Sequence, residues 1–131
     1  MKEKILKEKE EKLKLIPKVE LYIEYMLVVI MKLPRTEKFS IGTEYKSGMY
    51  KMLESIMLLN KITKKDIREI MNILNNIDAL LNTQRIYLRI MKNNRWIDEK
   101  KFKVAMEQIY EIGKILGGLI KYYAKDNKEQ L

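Results

Sequence analysis

Apolar positions recur at helical spacing in four segments of the chain, separated by short polar breaks. The segments run from Pro17 to Leu33, Ile41 to Leu59, Ile67 to Met91 and Phe102 to Tyr123. Within each segment, apolar residues return every three or four positions, which places them on one face of an α-helix. Four such helices joined by short loops predict an all-α protein with the up-down-up-down topology of a four-helix bundle.

The first helix is expected to begin and end at prolines. Pro17 suits the first turn of a helix, and Pro34 disfavours helical backbone at Leu33. Because apolar residues cover much of its circumference, this helix is expected at the centre of the bundle. Residues 1–15 are almost all Lys and Glu. They form a charged N-terminal extension of a single domain spanning 1–131, and two alternatives remain open: extension of the first helix or fraying in solution.

The other breaks carry residues that typically start or interrupt helices. Residues 34–39 predict a short basic connector between the first two helices. Polar side chains predict three helix caps: Ser40 for the second helix, Thr63 with Asp66 for the third, and Asp98 for the fourth. Trp96, in the last connector, is interpreted as a loop anchor on the end of the bundle rather than as a base-stacking residue.

Glycines lie inside the apolar pattern of the last helix. Gly113, Gly117 and Gly118 each cost about 1 kcal/mol relative to alanine in a helix interior, yet the apolar period continues across them. Gly113 and Gly117 are four residues apart and therefore share a face. They predict a groove along which a neighbouring helix, or a neighbouring subunit, packs closely. Gly48 predicts a similar close crossing for the second helix.

The residue types that are missing exclude most enzyme classes. The chain has no histidine and no cysteine, so it lacks the commonest general base and the usual transition-metal ligands. No carboxylate cluster stands out in the helical pattern, and we predict no catalytic site, no metal site and no cofactor. The longest apolar run, Met26 to Met31, is six residues and too short to span a bilayer. We therefore predict no membrane partner and a cytoplasmic location.

Positive charge is concentrated in one part of the chain. The net charge is +9, and residues 82–103 hold seven basic and two acidic side chains, which is 7 − 2 = +5. A localised basic segment is typical of proteins with a polyanion partner. The alternative is a solvated, lysine-rich surface from an AT-rich genome, and the arginines argue against it because that bias favours lysine.

Two arginines stand out within this segment. Arg85 and Arg89 are one helical turn apart, and no acidic residue lies four positions from either. Both are expected to lie off the apolar face, free for bidentate contacts with phosphate. The predicted nucleic-acid-binding residues are Arg85, Arg89, Lys92, Arg95 and Arg35.

Several segments together resemble one known family. They are Leu33-Pro34-Arg35, Ser40-Ile41-Gly42, the pair Arg85 and Arg89, and above all the segment from Glu111 to Ile120 with its Ile-Gly-x-x-Leu-Gly-Gly pattern. This combination resembles the accessory variability determinant (Avd) proteins of diversity-generating retroelements over about residues 17–125. A related branch is the four-helix-bundle protein encoded by intervening sequences in bacterial large-subunit ribosomal RNA. Leu119 departs from the many relatives that have tryptophan at this position, and the departure bears on which branch applies.

The resemblance implies a function that spacing alone does not. Avd proteins assemble as basic, barrel-shaped homopentamers of four-helix bundles. They are non-catalytic, bind the element's reverse transcriptase and its template RNA or cDNA, and support mutagenic retrohoming. On this resemblance Arg85 and Arg89 take a binding role, and the fourth-helix glycines are packing residues. Two alternatives remain: a stand-alone RNA-binding bundle of the ribosomal intervening-sequence type, and a purely structural oligomerisation module.

Overall fold

A computed structural model describes residues 2–62 and 66–130, with side chains described except at positions 4, 5 and 126–130. The described residues form four long helices and one single-turn helix, without a strand. The helices are α1 (Lys2–Met31), α2 (Arg35–Lys38), α3 (Ile41–Leu59), α4 (Ile67–Asn93) and α5 (Glu99–Gln130). The predicted all-α class is confirmed.

The four long helices pack as an antiparallel bundle. Helix α1 packs against α3 and α5, and α4 packs against the same two helices. Two contacts in each pair show the directions. Between α1 and α5, Glu8 contacts Tyr123, and Lys18 pairs with Glu111 at 3.4 Å. Between α3 and α4, Gly48 lies beside Gln84, and Asn76 donates to Ser55 at 3.5 Å. In both pairs a later residue of one helix meets an earlier residue of the other. The predicted four-helix bundle is confirmed, while its assembly into a pentamer stays a prediction.

Helix α1 starts at Lys2 and passes through Pro17 without a break, so the predicted start at Pro17 was wrong. An interior proline removes one backbone hydrogen bond and costs about 3 kcal/mol. Packing against α5 offsets that cost. Leu15 is buried beside the proline. Earlier in the extension, Glu8 is only 3% exposed and accepts a hydrogen bond from Tyr123. Of the two alternatives for the N-terminal extension, extension of the first helix is the one found for residues 2–15.

The buried faces were predicted well for α4 and poorly for α1. The predicted core face of α4 is buried in full: Ile67, Ile70, Leu74, Ile77, Leu81, Leu88 and Met91. In α1, by contrast, Leu21, Val28 and Met31 are exposed, so this helix is not enclosed at the centre of the bundle. Its apolar residues therefore point outward as well as inward. None of the helices in the described part of the chain has the apolar length that crossing a membrane requires.

The starts of α3, α4 and α5 follow the predicted cap positions, but not all the predicted bonds are present. Asp98 caps α5 by accepting a hydrogen bond from a backbone N–H three residues later at 2.8 Å, as predicted. Asp66 caps α4 in the same way at 3.4 Å, and Thr63 lies outside the described residues. Ser40 precedes α3, but its hydroxyl bonds to Glu37 instead of capping the helix. The predicted connector 34–39 contains the single turn α2.

Candidate nucleic-acid interface

The basic residues of α4 lie along its junction with α5. A Cβ atom placed on Gly113 of α5 would lie 2.9 Å from Nη2 of Arg85. Further along, Nζ of Lys92 lies 4.6 Å from the centre of the Phe102 ring. These two contacts fix how the antiparallel helices face each other, and helical spacing then places their neighbours. We call this surface the α4–α5 groove, and its residues are Asn82, Arg85, Arg89 and Lys92 from α4 with Phe102, Met106, Tyr110, Gly113 and Gly117 from α5.

Arg85 is half-buried in this groove, so the expectation that it lies off the packed surface was wrong. Its guanidinium lies across Gly113, and its Nη1 atom donates to Oδ1 of Asn82. Its positive charge also acts on Tyr22 in the core, where it opposes the effect of burial on the pKa of that hydroxyl. At Gly113 the close neighbour is therefore an arginine side chain and not the backbone of another helix.

Gly117 and Gly118 have open space at the position where a side chain would begin. A Cβ atom placed on either residue would meet no atom within 4 Å. No helix of the described chain therefore approaches them closely. Their predicted packing against another subunit stays a prediction.

A tight contact occurs instead at a glycine in α3 that the apolar pattern did not single out. A Cβ atom on Gly42 would lie 3.0 Å from Cγ2 of Ile30, where α1 crosses α3. At Gly48 the corresponding distance, to Nε2 of Gln84, is 3.6 Å, an ordinary van der Waals separation. Of the two glycines of α3, Gly42 therefore has the closer contact with a neighbouring helix, and the close crossing predicted at Gly48 is not found.

Arg89 and Lys92 differ in how firmly their charges are held. Arg89 is exposed, and no described residue forms an ion pair with it. Lys92 pairs with Glu99 at 3.3 Å and lies over the Phe102 ring. Surface ion pairs contribute about 0–1 kcal/mol, so a phosphate can displace Glu99 at little cost. Arg89 is therefore the most accessible cation of the groove. Lys92 becomes available only when its ion pair with Glu99 is broken.

Arg95 occupies a backbone conformation that usually belongs to glycine. Its φ angle is 61°, and it lies two residues after Asn93, the last residue of α4. The N–H of Trp96 bonds to the carbonyl of Met91 and the N–H of Arg95 to that of Lys92, both at 2.9 Å. This pair of bonds is the Schellman motif, in which the left-handed position costs a non-glycine residue about 1–2 kcal/mol. The motif turns Trp96 back onto the core, in agreement with its interpretation as a loop anchor.

Arg35 lies apart from the groove but at the same end of the bundle as Arg95. It is exposed in the first position of α2, which follows α1, while Arg95 follows α4. Because α1 and α4 run in the same direction, both arginines lie at the end where these helices stop. Of the predicted binding residues, Arg85, Arg89 and Lys92 are brought together, and Arg95 and Arg35 are not part of the groove.

A buried polar cluster lies behind the groove. Tyr22 donates a hydrogen bond to Oε1 of Gln84 at 2.6 Å, and the hydroxyls of Tyr22 and Tyr45 are also hydrogen-bonded. Burial, with the neighbouring Tyr45, raises the pKa of Tyr22 well above its usual value of 10.0. Gln84 lies on the core face of α4 between Leu81 and Leu88, a spacing from which its burial was predictable. The cluster links α1, α3 and α4 immediately beside Arg85.

The described residues contain no group of three acidic side chains that could hold a metal ion. The search of curated proteins finds no match. The family model described as bAvd-like matches residues 13–123, which is most of the chain. The match begins inside the charged N-terminal extension and ends in the last part of α5. The chain therefore belongs to the bAvd-like family.

Proposed function

We propose that this chain is a non-catalytic accessory protein of a diversity-generating retroelement, which binds nucleic acid along the α4–α5 groove and holds it near the reverse transcriptase in the cytoplasm. The observation that carries the nucleic-acid part is Arg89. It is exposed, has no ion-pair partner among the described residues, and lies in the segment 82–103 whose charge is +5. Family membership supports the accessory role.

The proposed binding is electrostatic and largely independent of base sequence. A guanidinium donates two parallel hydrogen bonds to a phosphate, which gives arginine an advantage over lysine at such sites. Asn82 holds the Arg85 guanidinium from one side, so less side-chain freedom is lost when a phosphate binds. Lys92 joins when a phosphate replaces Glu99. A phosphate-led mode predicts that affinity falls steeply with salt.

Several copies are part of the same proposal. Apolar side chains remain exposed on two sides of the bundle, with Leu21 and Val28 on α1 and Ile86 and Ile90 on α4. Burial of such faces against other copies would stabilise a homo-oligomer. If the assembly is the pentamer that the resemblance implies, light scattering gives about five times 15.8 kDa, roughly 79 kDa. A monomer at micromolar concentration would contradict this part of the proposal.

Co-purification tests the proposal as a whole. The full chain is isolated from cells that carry its neighbouring genes, bound proteins are identified by mass spectrometry, and bound nucleic acid is sequenced. We expect a reverse transcriptase together with its template RNA. Arg89→Ala should recover less nucleic acid, whereas Arg68→Ala, an exposed arginine in the first turn of the same helix, should not. Recovery of ribosomal RNA precursors without a polymerase would favour the intervening-sequence type of RNA-binding bundle instead.

A further inference from the structure

An exposed aromatic ring lies on the rim of the α4–α5 groove. Tyr110 is 64% exposed on α5. It lies between Phe102, whose ring meets Lys92, and Gly113, which meets Arg85. Because the two helices are antiparallel, this position places Tyr110 at a level between Arg85 and Lys92, the stretch of α4 that contains Arg89. The rim therefore combines an accessible aromatic face with two guanidinium groups.

The charged residues near Tyr110 on its own helix are of both signs. Met106 and Lys114 lie four residues before and after it, and Lys103 lies seven residues before it. Lys103 and Lys114 are exposed, as are Glu107 and Glu111, which lie three residues before and one residue after Tyr110. Because the charges on α5 balance, the net positive charge beside the ring comes from Arg85 and Arg89 of α4. An aromatic ring beside cations is the combination that sequence-tolerant, single-stranded nucleic-acid-binding proteins use, with the ring stacked on a base and the cations on phosphates.

We propose that the α4–α5 groove binds an unpaired nucleic-acid strand, with Tyr110 stacked on a base while Arg85 and Arg89 hold neighbouring phosphates. This inference rests on the proposed function and names the form of its nucleic acid. A duplex presents phosphates to the arginines but keeps the faces of its bases stacked on one another, out of reach of an external ring. A single strand offers both. Stacking does not depend on the 2′-hydroxyl, so RNA and DNA strands bind alike.

The test compares four probes against the full-length protein at one salt concentration. The probes are an oligothymidylate, an oligouridylate, an abasic DNA strand of the same length and a DNA duplex of the same length. Tyr110→Leu should weaken binding of the first two by roughly 5- to 150-fold, the range expected for one base–aromatic stack. Binding of the abasic strand and the duplex should stay within about twofold.

Two matched variants separate the ring from other causes. Tyr110→Phe keeps the aromatic face and should retain the affinity of the parent protein. Tyr50→Leu removes a ring that is 45% exposed on α3, away from the groove, and should change none of the four affinities by more than about twofold. Arg89→Ala should weaken all four probes, because every probe carries phosphates.

Three results would overturn the inference. If the parent protein binds the abasic strand as tightly as oligothymidylate, bases are not read. If Tyr110→Leu lowers all four affinities together with the assembled mass in light scattering, the ring belongs to a subunit interface. In both cases an effect of Arg89→Ala would leave the proposed function standing. If the parent protein binds none of the probes, the proposed function fails and this inference fails with it.

Discussion

A methyl group added at Gly113 tests how α4 and α5 meet. In Gly113→Ala the new Cβ atom would lie 2.9 Å from Nη2 of Arg85 and 3.6 Å from Leu81. The second distance is an ordinary contact, but the first requires movement. Nη2 is the far end of a flexible side chain, so we expect the guanidinium to swing away while both helices stay in place.

Two opposing effects determine the size of the change. Alanine in place of glycine stabilises a helix interior by about 1 kcal/mol. Displacement of Arg85 loses its hydrogen bond to Asn82, a loss of about 0.5–1.5 kcal/mol. For Gly113→Ala alone the two effects nearly cancel. In an Arg85→Ala background nothing has to move, and the same substitution should stabilise the protein by the full value of about 1 kcal/mol.

Urea denaturation of four proteins measures this coupling: the parent, Gly113→Ala, Arg85→Ala and the double variant, all at one protein concentration. We expect a coupling free energy of about 0.5–1.5 kcal/mol. Gly118→Ala is the matched control, because a Cβ atom there meets nothing within 4 Å. Its effect should be the same with and without Arg85. Additivity of Gly113→Ala and Arg85→Ala within about 0.3 kcal/mol would show that the guanidinium does not lie over Gly113.

Three further predictions concern stability. Arg95→Gly relieves a left-handed backbone position and should raise the unfolding free energy by about 1 kcal/mol. An unfolding free energy below that of the parent protein would contradict the Schellman geometry. Burial raises the pKa of Tyr22 above 10.0, so the folded chain keeps a proton that the unfolded chain releases, and stability should fall as the pH rises above 10. Tyr22→Phe should make that fall shallower by up to about 1.4 kcal/mol per pH unit, and an unchanged alkaline slope would argue against this assignment. Gly42→Ala forces Ile30 to move, so its melting temperature should lie below that of Gly48→Ala, and the reverse order would refute the close crossing.

The apolar period predicted the fold because it records one face of each helix. In α4 every position of the predicted core face is buried, together with the polar Gln84, which the apolar pattern did not include. In α1 the same kind of pattern misled, because Leu21 and Val28 are apolar without facing the core. Hydrophobicity along a chain shows that a surface is apolar but not what covers it. Pro17 misled for a related reason, since the packing of the extension on α5 outweighs the local preference of proline for the first turn of a helix.

The candidate site was only partly predictable, because it depends on the relative rotation of two helices. The sequence indicated that Arg85 and Arg89 share a stripe and that Gly113 opens a face. Arg85 fills the space left by Gly113, and this contact belongs to the tertiary structure. The spacing of residues within one helix does not predict it. Tyr110 was missed for the same reason. An exposed tyrosine becomes a candidate binding residue only when the structure places it beside the cations of the neighbouring helix.

The salt dependence of nucleic-acid binding tests most directly whether the α4–α5 groove contacts phosphates. For a single strand, log affinity falls with log salt by about 0.7 per phosphate neutralised. Replacement of Arg89 alone should flatten the slope by about 0.7 for each bound chain, and replacement of Arg85 and Arg89 together by about 1.4. Arg68→Ala should leave it unchanged, and melting curves must first show that each variant folds. A folded, correctly assembled Arg85→Ala/Arg89→Ala protein with the affinity and slope of the parent would show that the basic segment only keeps the protein soluble.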